Sequence, residues 1–170
     1  MNNDRNVDTV LSGDEKELLL LFLNNQREII LWKLDGLTDE QLQQRHPPST
    51  LTLIGIVKHL TRVEGSWLQQ DLLGPDVLML PQPANEWGLE PGDTCADVIE
   101  SYRRTCAKSD EIVSALPLET VLADPHPLQA GVTLRWALLH MIEETARHLG
   151  QVDLIRESID GMVGQNSRFP

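Results

Sequence analysis

Four residues of this chain could share a metal ion, and three of them belong to one stretch. In LRWALLHMIEETARHLGQVDLIRESID, residues 134–160, His140, Glu144 and His148 recur every four positions. On a helix, successive members of such a series are rotated by only about 40°, so they form a slowly drifting row. The apolar positions Leu134, Ala137, Leu138, Met141, Val152, Ile155 and Ile159 follow the same period, with Thr145 among them. A carboxylate on a core-facing row is costly unless it is paired or bound to a metal. Glu144 therefore asks for a partner.

His59 is the fourth candidate. It lies at the edge of an apolar stripe, Leu53, Ile56, Leu60, Val63 and Trp67, in LTLIGIVKHLTRVEGSWLQQDLL. Gly55, one turn earlier, leaves space beside the imidazole, although glycine inside a helix costs up to about 1 kcal/mol relative to alanine. Taken singly, each residue has an ordinary reading: a half-exposed histidine, an acid turned to solvent, a core histidine. Taken together, His59, Glu144 and His148 make a three-ligand set with an open fourth position, the usual arrangement for catalytic zinc. His140 could replace Glu144 or His59 as a ligand, or face a substrate. HMIEETARH is not the zinc-protease motif, in which two histidines four apart have glutamate directly after the first. His46 and His126 stand in proline-flanked loops and read as surface residues, His126 near enough to the long helix to reach a site mouth.

The elements that must position these residues are helical. Ser12 with Glu15 forms a capping-box pattern ahead of a helix running to about Leu34, with Leu18, Phe22, Ile29 and Trp32 as its stripe. Asp35-Gly36 ends it, and Thr38 with Gln41 opens a short second helix. Ser49 or Thr50 can cap the helix that carries His59, and Gly74 ends that helix. Asp93 or Thr94 starts another, with Cys95, Ile99, Tyr102, Cys106 and Val113 on one face. Gly161 closes the last. Residues 75–92 are rich in proline and lack any period, as are residues 117–132; the first of these, with Trp87 in it, reads as a packed loop that covers part of the domain. The expected class is all-α, a four-helix bundle with irregular crossover loops and a short extra helix. One domain is expected over residues 1–170, with residues 1–11 and 162–170 as flexible tails.

Composition narrows the function. The 170 residues hold 14 Lys and Arg against 26 Asp and Glu, a formal charge of −12. Nucleic acid and anionic membrane surfaces would be repelled. No apolar run approaches a membrane span, and MNNDRNVDTV is not a secretory signal, so a cytoplasmic protein is expected. Cys95 and Cys106 lie about 16 Å apart along one helix, too far to pair, and read as packing residues.

The pieces REIILWKLDGLTDEQL, LIGIVKHLTRVEGSW and HMIEETARHLGQVDLIRESIDG resemble the DinB/YfiT-like metalloenzyme superfamily, and within it the branch of actinobacterial mini-circle proteins. In much of that superfamily the late helix carries H-x-x-x-H before Gly-Gln. Here His148 precedes Leu149-Gly150-Gln151, and Glu144 stands where the first histidine would be. Mycothiol-dependent maleylpyruvate isomerases, which share the bundle, use a His, Glu, His zinc set. The resemblance thus implies His59, Glu144 and His148 as ligands of one divalent metal, zinc first, with nickel, iron or manganese open. It also implies a homodimer, and a low-molecular-weight thiol of mycothiol type as cosubstrate of an S-transferase or isomerase. Two other readings compete: a metal-dependent hydrolase, and a non-catalytic bundle that binds a small ligand.

Overall fold

In a computed structural model, residues 13–76, 83–124 and 131–164 are described. The chain forms α1 (Glu15–Leu34), α2 (Asp39–Leu42), α3 (Leu53–Gly65), a π turn (Ser66–Gln70), α4 (Asp71–Leu73), α5 (Cys95–Ser114) and α6 (Leu134–Asp160). Among the described residues the sole β pairing is an isolated bridge between Val121 and Thr133. The all-α bundle is as expected. The π turn and α4 continue α3 to Gly74, whose φ of 91° ends the helix where glycine alone is unstrained.

The helix starts shift from those expected. Asp14 caps α1 in a capping box with Glu17, in place of Ser12 with Glu15, and Ser12 lies outside the described residues. Thr52 caps α3, not Ser49 or Thr50. Thr38, Thr94 and Thr133 cap α2, α5 and α6, and Gly161 ends α6 in the left-handed conformation.

Pairing contacts set the helix directions. Arg135 meets Glu15 and Lys33 meets Asp153, so α1 and α6 run parallel. Lys58 meets Asp93, and Gln69 meets Thr105 and Ser109, so α3 and α5 run parallel too. His59 faces Glu144 while Trp67 faces His140 and Trp136, so α3 and α6 are antiparallel. Two parallel neighbours cannot be joined by a tight turn. The chain leaves this rod at Gly74 and enters α5 at Thr94 beside the rod's opposite end, about 30 Å back at 1.5 Å per residue.

Two apolar clusters fill the bundle. One joins Ile30, Leu53, Ile56, Leu60, Tyr102, Val152 and Ile155; the other joins Leu23, Val63, Leu68, Val113, Leu134, Leu138 and Met141. Between them, each long helix contributes buried polar side chains: Arg27, Glu64, Ser109, Thr145 and His148. Arg27 pairs through its guanidinium with both oxygens of Glu64 and adds Asp110 at 2.8 Å and Asn24 at 2.6 Å.

This pair corrects the expected stripe of α1. The buried positions are Leu23, Arg27, Ile29, Ile30, Lys33 and Leu34, and Phe22 is exposed. Hydropathy scores Arg27 and Lys33 as outward, yet their anionic partners on other helices allow them to point inward.

Removing Glu64 would take from the buried guanidinium its fully buried anionic partner, leaving Asp110 and Asn24 at one nitrogen alone. Glu64→Ala is expected to lower stability in urea denaturation by about 3–5 kcal/mol. The Arg27→Met/Glu64→Leu double variant should recover most of that loss.

Candidate metal centre

The antiparallel contact of α3 with α6 brings His59 level with Glu144 and His148. Both histidine Nε2 atoms face the same carboxylate oxygen, Oε1 of Glu144, each at 3.1 Å. The candidate donor atoms of the three residues all lie within 4.8 Å of one another. His59 and His148 are buried, and Glu144 is partly open to solvent.

The remaining ring nitrogens are also engaged. Nδ1 of His148 lies 2.7 Å from Oε1 of Gln151, one turn on in α6. Nδ1 of His59 lies 2.7 Å from Oε1 of Glu86, which also accepts from Nε of Arg62 at 2.9 Å. His59 therefore has a carboxylate oxygen at each nitrogen. A neutral imidazole carries one N–H and can serve one of them. With the proton on Nδ1, donated to Glu86, the Nε2 lone pair points at Glu144, and a cation between them removes the conflict. Metal-bound histidines normally hold their other N–H against a carboxylate or carbonyl in this way. Two convergent Nε2 atoms and a carboxylate fit a divalent ion of borderline softness.

The charges agree. Burial raises the Glu144 carboxyl, but the contacts of its Oε1 with His59 and His148 outweigh it and hold the group below its ordinary value. Burial likewise raises Glu86, and Arg62 with His59 outweighs it. Both acids are anionic at neutral pH.

Glu86 and Trp87 lie on the long return connection. The Trp87 ring stacks on His59 at 4.2 Å between centroids and 18° between planes. Lys58 pins the same segment, donating to the Gly88 carbonyl and to Asp93, each at 3.1 Å. Gly55 explains how the segment comes so close. A Cβ at this position would stand 2.1 Å from the Trp87 carbonyl oxygen. The space beside the imidazole is thus taken by the backbone of the strap. Glu86 itself was missed in the sequence, because its segment has no period; the glycine inside an otherwise helical pattern was the available sign of a close backbone approach.

His140 does not join the three. Its ring stacks on Trp136 at 5.1 Å and meets Trp67 at 4.7 Å, and its Nδ1 lies 4.0 Å from Glu143. His46, expected at the surface, is half-buried and bonded to Ser158 at 2.7 Å. His126 lies outside the described residues. Cys95 and Cys106 are unpaired thiols. Burial pushes them up to about 11 and about 12, with the nearby charges of Asp39 and Glu64 adding to it. They suit packing, not nucleophilic chemistry.

With this geometry in place, the comparisons with known proteins are informative. A family model described as Mycothiol-S-transferase matches residues 18–161. No curated protein matches the chain. The crystal structure of a conserved protein from Enterococcus faecalis superposes with a TM-score of 0.63 over 89% of this chain and 100% of that chain, at 15% identity. At that identity the likeness speaks for the fold alone.

The notch under the strap gives a direct contrast between two helical glycines. Gly55→Ala is expected to dislodge residues 83–92, seen as faster proteolysis there and as a red shift in tryptophan emission that is absent when Trp87 is replaced by Phe. Gly150→Ala, whose Cβ would meet nothing within 4 Å, should instead stabilise the protein by up to about 1 kcal/mol.

Proposed function

The chain belongs to the mycothiol-S-transferase family of DinB-like proteins, and on that premise we propose that it is a metal-dependent enzyme transferring the sulfur of a low-molecular-weight thiol to an electrophile. The observation that carries the proposal is the convergence of His59, Glu144 and His148 on one point. In this reading the three hold one divalent ion, zinc first, through both Nε2 atoms and the Glu144 carboxylate. An ion there would lower the pKa of a thiol brought to it, so that the nucleophilic thiolate is available near neutral pH.

The chain's own residues do the rest. Glu86 keeps the His59 proton on Nδ1 and so leaves Nε2 free as a donor. Gln151 does the same for His148. Two neutral imidazoles and one carboxylate leave a divalent site with net positive charge, which favours an anionic sulfur over a neutral ligand. Trp87 covers His59 and keeps water from that side. The thiol gives its proton to solvent, its sulfur forms a bond to an electrophilic carbon, and the group displaced from that carbon departs with the electron pair of the broken bond.

Metal analysis should find one ion per chain, sharply reduced in His59→Ala, Glu144→Ala and His148→Ala. Glu86→Gln should weaken metal affinity by about 10–100-fold. Full metal in Glu144→Ala with loss in His140→Ala would reassign the middle ligand. The cobalt-substituted protein should gain a near-ultraviolet sulfur-to-metal charge-transfer band on adding mycothiol, and Glu144→Ala should not. Absence of the band with every physiological thiol would end the transferase reading in favour of the hydrolase or the non-catalytic binding bundle. A homodimer is part of the same proposal, supported by the exposed apolar Phe22 and Leu139 on α1 and α6. Light scattering should give twice the 19.1 kDa of the chain.

A further inference from the structure

Three aromatic rings form a second feature of the α3–α6 groove. Trp67 and Trp136 have centroids 5.3 Å apart, and His140 touches both, stacked on Trp136 with 21° between planes. His140 stands one turn before Glu144 in α6, and Trp136 two turns before it. At 1.5 Å per residue Trp136 is about 12 Å along the axis from the candidate metal ligands.

Exposure falls steadily along this row. Trp136 is 44% exposed, and the side chains of His140, Glu144 and His148 are 27%, 20% and 7% exposed. The row starts at a part-exposed indole and descends to the buried histidine pair. A half-exposed tryptophan braced from behind by another ring is costly to leave in water and rigid enough to bind without further ordering.

We propose that Trp136, braced by Trp67 and His140, is the subsite for the neutral, polyhydroxylated ring of a thiol whose sulfur lies at His59, Glu144 and His148. The proposal rests on the thiol reading above and adds where the rest of the molecule goes. Two observations select this occupant. The span of about 12 Å is too long for a small electrophile, whose reacting carbon must touch the sulfur, but it suits the far end of an extended cosubstrate. The platform offers polar partners of the right kind, since the His140 ring lies against the indole and the Glu143 carboxylate lies 4.0 Å from its Nδ1. C–H bonds of a sugar ring pack on an indole face while its hydroxyls bond to such groups. The chain's net charge of −12 further disfavours an anionic occupant.

Mycothiol and N-acetylcysteine methylamide provide the test, because both are neutral and share the N-acetylcysteinyl amide head, and they differ in the sugar-type rings. Their dissociation constants are measured by calorimetry on the zinc-loaded protein and by titration of the cobalt charge-transfer band. The wild type should prefer mycothiol. Trp136→Ala should lower that preference by about tenfold, with metal content and the far-ultraviolet circular dichroism unchanged. Trp136→Phe, which keeps a stacking face, should retain most of it, and Leu154→Ala, at an exposed site more than four turns from Trp136 on the same helix, should retain all of it. Equal loss of affinity for both thiols in Trp136→Ala, or no loss for either, overturns the subsite while leaving the thiol reading intact. A wild type that binds neither thiol overturns both.

Discussion

The bundle depends on a layer of buried polar side chains at mid-height. Apolar contacts above and below tolerate small shifts, whereas the groups of this layer need their partners in place. Arg27 can lie in the interior because Glu64 and Asp110 meet it. Glu144 can lie at the same level because two imidazoles face it. Arg27 needs Glu64 of α3 and Asp110 of α5, and Glu144 needs His59 of α3 beside His148 of its own helix, so the layer helps to set the register of the helices relative to one another. A slip by one turn would leave charges unpaired in a low-dielectric interior, at a cost that no gain in apolar contact offsets. The ion pair and the candidate metal centre are two ends of one stratum, joined through α3, which carries both His59 and Glu64.

The second constraint is directional. Parallel packing of α3 and α5 requires a return connection along the length of the bundle, and that connection supplies Glu86 and Trp87 to the site. The site thus draws on three sources: α3 and α6 bring the donors together, and the strap orients one of them. Gly55 is where these requirements meet. It forfeits helix propensity so that the strap backbone can touch α3, and the contact sets the Trp87 ring against His59. The functional reading and the fold therefore share their least replaceable residues.

Much of this was legible in the sequence because it follows from local rules. The span of α6, its Gly161 terminus and the burial of Leu134, Leu138, Met141 and Val152 follow from one period. The donor row in α6 is also local, since residues four apart on a helix must be neighbours. His59 was legible more weakly, as a histidine at a stripe edge, and its glycine was legible as an anomaly without an explanation. The stripe of α1 was misread because Arg27 and Lys33 are inward for reasons that reside on α3, α5 and α6.

The sequence by itself determined the helices, the all-α class and the residue types able to hold a divalent ion, since propensity, periodicity and side-chain chemistry are properties of short stretches. The pattern before Gly150-Gln151 already pointed to His148 as the partner of His59; tertiary structure alone decided that His140 turns to the tryptophans. His140 and His148 are equivalent by spacing, each one turn from Glu144. They part company because α3 crosses α6 antiparallel, setting His59 against one and Trp67 against the other. It also decided that an aperiodic loop would reach His59. Contacts between segments distant along the chain depend on packing direction and on the path a connection must take, and neither is written in the spacing of any one segment.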